Sequence, residues 1–279
     1  MELTFNIPEK WNDLNQYQLE NIIHTVHVNK KLTRKILLNL LTFLFVDEDP
    51  FSGSDTVMKK LDDYGLLLRQ VSTMQTLIPY LDFVKQSMTL TNFPEKFEIT
   101  VDEELKVFYG PEPRLINLTI FEFSTIDKLF YRWVTKKDDA DLDRLCVLLY
   151  REAGGNNIDD IREPFSMAKL NKRAKFIQTL DFKTKLTIGY AFMGSRELLI
   201  SKFPTIFPKP KFKKQISNPP TTPKKYEGMT KMINSMIVGE NLPLGPLKDV
   251  KETNVFDFFN VVTEVILLQR ERNEKSKNK

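Results

Sequence analysis

Apolar residues recur at intervals of three and four along most of this chain, and that spacing admits one principal architecture, amphipathic helices packed by their apolar faces. Asn15-x-x-Gln18 reads as a capping box, and Leu19, Ile22, Ile23 and Val26 follow it at helical spacing. Trp11 and Leu14 precede that helix and are placed to staple its entry. A second helix is expected from about Leu32 to Val46, apolar on most faces and stopped by Asp47-Glu48-Asp49-Pro50. Helical patterning resumes over 55–70 and 74–88, where Pro79 should break or kink the second segment.

Between Phe93 and Phe108 the period changes to two. Phe97, Ile99 and Val101 alternate, as do Leu105, Val107 and Tyr109, with Asp102-Glu103-Glu104 between them. This predicts a β-hairpin over 97–109, ended by Gly110-Pro111. Thr119-x-x-Glu122 is a second capping box, followed by an apolar stripe of Ile120, Phe123, Ile126, Phe130 and Trp133. After a short join, Leu142, Leu145, Cys146 and Leu149 mark the next helix, so the two should form an antiparallel αα-hairpin. Further helices are expected at about 165–176, 182–203 and 226–237. A last one, capped by Asn254-x-x-Asp257, carries Phe258, Val261, Val262, Val265 and Leu268, and its charged tail from Arg270 should fray.

Six prolines and six lysines fall between Pro204 and Lys225, with no acid among them. Such a stretch cannot be a helix or a central strand and reads as an extended arm. The expected organisation is therefore a main helical domain over 1–203, an arm over 204–225 and a C-terminal helical module over 226–279. The fold class is mainly α: a multi-helix bundle with one small β-hairpin.

Composition bounds the function. The 279 residues carry 41 Lys+Arg against 37 Asp+Glu, a formal net charge of +4, too balanced to predict nucleic-acid binding for the whole chain. The one cysteine, Cys146, excludes an intrachain disulfide and a Cys-rich zinc site. No basic and apolar leader opens the sequence, and its longest uncharged apolar stretch, 36–46, is about half a membrane span. A cytoplasmic location and no membrane partner are expected.

Candidate chemistry is sparse. His24 and His27 stand three apart on a helix, but no third ligand is apparent, and they read as polar helix-face residues rather than a metal site. Cys146 falls on an apolar stripe and reads as a core thiol, not a nucleophile. Asp138, Asp139, Asp141 and Asp143 lack the glycine and terminal glutamate of a calcium loop and suit a helix N-terminus. Gly154-Gly155-Asn156-Asn157 has no Walker lysine after it and reads as a helix-terminating loop. No catalytic, cofactor or metal residues are assigned, and no enzyme is expected unless acids such as Glu122 or Asp127 form an unrecognised constellation.

The arm has two readings. Phe207 and Phe212 interleave with Lys209, Lys211, Lys213 and Lys214, which suits a docking segment for an acidic partner, protein or nucleic acid. Equally, the lysines can serve a solvated spacer.

Several segments together resemble a known group. Ile7-Pro8-Glu9-Lys10-Trp11-Asn12-Asp13-Leu14 followed by Gln18-Leu19 is similar to the "P-x-x-W-x-x-L-x-x-x-Q-L" opening of proteins encoded in tailed-phage and prophage clusters of Bacteroidetes. Tyr109-Gly110-Pro111, Leu118-Thr119-Ile120 with Glu122-Phe123, Phe130 and Leu148-Leu149-Tyr150-Arg151 resemble that group's middle section, and Gly194-Ser195-Arg196-Glu197-Leu198 is also similar. Some of those proteins look like tail assembly chaperones. The resemblance implies a non-enzymatic morphogenesis factor in the host cytoplasm, binding tape-measure or tail-tube proteins. The alternative is a nucleic-acid-associated phage protein using the arm and tail on phosphates.

Overall fold

The computed structural model describes residues 8–29, 31–44, 78–157, 160–208, 228–238 and 244–277. Of these, 65% are helical, and the strands form one small antiparallel sheet. The expected helix over 55–70 lies outside the described residues, as does most of the arm. Contacts divide the chain into two units, residues 1–94 with 179–195, and residues 95–178 with 196–279.

In the first unit, a 3-10 turn at Trp11–Asp13 leads into α1 (Gln16–Val28) and α2 (Arg34–Leu44). The capping box is present: Asn15 Oδ1 accepts the Gln18 N–H at 2.9 Å, and Gln18 Oε1 accepts the Asn15 N–H at 3.1 Å. Gln18 also donates to the Leu44 carbonyl at 3.0 Å, so one buried amide caps α1 and ties it to the end of α2. Trp11 is buried. Its indole N–H donates to the Phe83 carbonyl at 3.2 Å, and its ring meets Phe83 edge-on at 5.3 Å. Pro79 falls within a 3-10 turn, Ile78–Leu81, that runs into the single turn α3 (Asp82–Lys85). The long helix α7 (Phe182–Lys202) passes so close to the chain at Leu90 that a Cβ on Gly194 would lie 2.1 Å from the Leu90 carbonyl oxygen.

In the second unit, β1 (Lys96–Val101) and β2 (Glu104–Tyr109) form the expected hairpin in unbroken register. Its two-residue turn, Asp102-Glu103, has both φ angles positive (49° and 64°), the handedness that matches strand twist. The hairpin does not stand alone, which corrects the sequence expectation. The sheet has four strands in the order β1-β2-β3-β4, adding β3 (Arg151–Asn157) and β4 (Asp160–Arg162). The supposed loop Gly154-Gly155-Asn156-Asn157 is part of β3. Tyr150, after the preceding helix, is already extended (φ −100°, ψ 122°), so helix passes straight into strand. Gly155 permits the pairing: a Cβ there would sit 2.1 Å from the Asp160 carbonyl oxygen.

The αα-hairpin is α4 (Ile120–Lys136) and α5 (Asp139–Leu149). Phe123, Phe130, Leu145 and Cys146 are all buried, as the stripes require. Helix α6 (Leu170–Ile177) begins later than expected, after a 3-10 turn at Met167–Lys169. Helices α8 (Thr230–Val238), α9 (Leu247–Glu252) and α10 (Val255–Lys277) complete the unit. Phe258, Phe259 and Val262 bury the first half of α10, Phe259 meeting Phe123 edge-on at 6.2 Å. The expected fraying from Arg270 is not seen. The helix continues to Lys277, although its last turns are exposed.

Candidate functional site

Several buried charges of the second unit meet at the N-terminus of α4. Thr119 caps the helix, its hydroxyl accepting the Glu122 N–H at 3.2 Å while Glu122 Oε2 accepts the Thr119 N–H at 3.0 Å. The Ile120 N–H bonds the Thr253 carbonyl and the Val255 N–H bonds the Leu118 carbonyl, both at 2.9 Å. These bonds hold the starts of α4 and α10 side by side and bring α9 over Phe121.

The other oxygen of Glu122 faces the sheet. Arg151, the first residue of β3, donates to Glu122 Oε1 at 2.6 Å and to Asp160 Oδ2 at 3.3 Å. Asp160 in turn accepts two bonds from the Arg162 guanidinium, each 2.8 Å, and one from its backbone N–H at 3.0 Å, and Arg162 also donates to the Leu149 carbonyl at 3.0 Å. Arg151 and Arg162 are each only 2% exposed. Burial pushes the Arg151 guanidinium below its ordinary value, and the Glu122 carboxylate opposes that shift. Glu163, next along, takes an ion pair from Lys169 and lies 3.9 Å from the buried Arg173 guanidinium.

Glu122, Arg151, Asp160, Arg162 and Glu163 form the floor of a cleft of about 400 Å³. Phe121 and Phe165 form one wall, meeting edge-on at 5.8 Å. Lys248 and Lys251, three apart on α9, stand on the rim, with Lys251 Nζ lying 5.1 Å from the Phe121 ring centre. Neither rim lysine has an ion-pair partner among the described residues. Chemically, the floor is a closed set of opposite charges, and the rim carries cations that remain available to an acidic group.

Two acids singled out from the sequence as possible catalysts have arginine partners. Glu122 holds Arg151, and the fully buried Asp127 accepts from Arg196 Nε at 2.5 Å. Cys146 is buried. Asp138 caps α5 through the Ala140 N–H at 3.0 Å, whereas Asp141 is fully buried between Arg132 and Arg144. His27 Nδ1 lies 3.3 Å from the Tyr190 hydroxyl, and no metal-holding group of His, Cys, Asp and Glu occurs among the described residues. Phe207 is half-buried and packs edge-on against Phe259 at 5.4 Å. Lys209, Lys211, Phe212, Lys213 and Lys214 lie outside the described residues. Sequence reading missed the cleft. Its one local signal was Asp160 two residues before Arg162, the pair that now chelates.

No described helix is long and apolar enough to cross a membrane. No protein-family model, no curated protein and no solved structure matches the chain.

Proposed function

We propose that this chain is a non-enzymatic assembly factor that holds an acidic segment of a protein partner, and that the partner is a phage tail protein, tape-measure or tail-tube, as the sequence resemblance implies. One observation carries the reading. Glu122, Arg151, Asp160 and Arg162 neutralise one another on the floor of the cleft, while Lys248 and Lys251 on its rim lack an acidic partner among the described residues. A general acid or base needs a carboxyl group free to exchange its proton with substrate. Acids fixed by buried guanidinium groups suit a structural role better. Two rim lysines, one of them over the Phe121 ring, suit recognition of carboxylates.

The test is a pull-down with the tagged full chain from prophage-induced cells, comparing the wild type with Lys248→Glu/Lys251→Glu. Recovery of a tail protein by the wild type and its loss with the variant is the expected result. Recovery of nucleic acid instead, with affinity falling steeply with salt, would replace this reading by the phosphate-binding alternative. Recovery of neither would remove both.

A further inference from the structure

We propose that β1 pairs antiparallel with β1 of a second copy of this chain, with Lys96 of each strand opposite Glu98 of the other. The strand is at the end of the sheet, and among the described residues no strand covers its outer side. The direction of its unpaired backbone follows from one bond. Gly110 donates its N–H to the Glu95 carbonyl at 2.8 Å, so the odd-numbered residues of this segment face β2. Alternation then turns the N–H and C=O groups of Lys96, Glu98 and Thr100 outward. All three residues are exposed, and the register with β2 runs through all six positions without a bulge or a proline. An edge of this kind is a template for another strand.

Charge selects the occupant. Lys96 and Glu98 lie on the same exposed face, two residues apart, with Nζ and Oε1 2.7 Å from each other. A reversed copy centred on Phe97 brings lysine opposite glutamate twice, so the charges that would repel many strands favour this one. In that register, Lys96 and Glu98 exchange both backbone bonds with the copy. On the opposite face, the half-buried Phe97, which contacts Tyr150 at 4.8 Å, meets its own counterpart across the axis. The pairing is isologous: the same edge serves both chains across a two-fold axis, so it closes as a dimer.

Sedimentation equilibrium on the full chain tests this. The wild type should dimerise with rising concentration. Lys96→Glu or Glu98→Lys alone places like charges opposite each other and should weaken the dimer about tenfold or more, whereas the double reversal should restore it. Glu98→Pro removes one outward N–H without touching the ladder to β2, and should give a monomer with an unchanged melting temperature. If that variant does not fold, the charge series decides alone. A wild type that stays monomeric at every concentration overturns the proposal, as does a dimer indifferent to all three charge variants.

Discussion

Glu122 and Arg151 meet at 2.6 Å, Oε1 to Nη1, with both side chains almost wholly buried. The pair joins a helix to a sheet. Glu122 occupies the third position of α4 and closes its capping box with one oxygen, while the other holds the first residue of β3. Arg151 extends the connection to Asp160 and so to β4. One carboxylate therefore couples a local signal, the cap, to the tertiary placement of the strand that the sequence pattern concealed.

Removing the arginine should expose how much rests on it. Arg151→Met leaves Glu122 buried without its counter-charge and should cost about 3–5 kcal/mol. Glu122→Gln combined with Arg151→Met should cost clearly less than the sum of the two single changes, because no buried charge is then left alone. Urea unfolding of the three variants checks both statements. Additive losses would mean that the two residues act independently.

Gly155→Ala should loosen the same assembly from the backbone side. The added methyl would meet the carbonyl oxygens of Asp160 and Arg162 at 2.1 and 2.6 Å, so β3 and β4 must move apart. The expected loss is about 1–3 kcal/mol. Chemical denaturation reads it, and an unchanged midpoint would show that the hairpin relaxes freely.

The αα-hairpin gives a sharper contrast. Leu145 and Cys146 are fully buried, so Leu145→Ala should cost about 2–5 kcal/mol. Cys146 should react with a thiol reagent only as fast as the chain opens. Both effects come from one interface, so the leucine variant should also speed labelling of the cysteine.

These contrasts mark how far pattern reading reached. Helices α1, α4 and α5 were legible because caps and 3.6-residue stripes are local. The β1–β2 hairpin was legible because Phe97, Ile99 and Val101 alternate. Strand β3 was not, since Arg151-Glu152-Ala153-Gly154-Gly155 has no β-branched or aromatic residue, and its pairing depends on the close approach that glycine allows. The cleft was hidden for another reason. Phe121, Arg151, Phe165 and Lys251 are far apart in sequence, and nothing local says that α9 lies over Phe121. Local sequence offers Glu122 as a cap and as a candidate acid, but not as the partner of Arg151, because its second oxygen answers to a residue 29 positions away.

Alkaline titration should tie the ionisation of two tyrosines to unfolding. Burial holds the Tyr150 phenol well above its ordinary value of 10.0, with Cys146 adding to the shift, and burial alone raises Tyr190. The unfolded chain releases these protons first. The stability they contribute is thus complete below pH 10 and is lost as pH rises through the folded values. Difference absorbance against Tyr150→Phe and Tyr190→Phe should show both phenols ionising only together with loss of the near-ultraviolet circular dichroism. Ionisation of either phenol before that loss would show that water reaches its ring.

The stretch from Pro204 to Lys225 combines two kinds of residue, aromatic and basic. Phe207 packs on Phe259, and its N–H bonds the Phe203 carbonyl at 3.0 Å, so it belongs to the second unit's apolar packing. Phe207→Ala should lower stability by about 1–3 kcal/mol, less than a fully buried phenylalanine because the ring is half-exposed. The lysines can contribute only charge to the proposed binding. Changing Lys209, Lys211, Lys213 and Lys214 to Ser takes the formal net charge from +4 to zero (+4 less four) and removes attraction to an acidic partner. That variant should keep the wild-type melting curve and lose affinity for the proposed acidic partner at low salt, with the difference shrinking as salt screens the charges. The readouts are a melting curve and a binding titration at two ionic strengths. Wild-type affinity at low salt would assign recognition to the cleft rim alone, leaving these lysines as spacer.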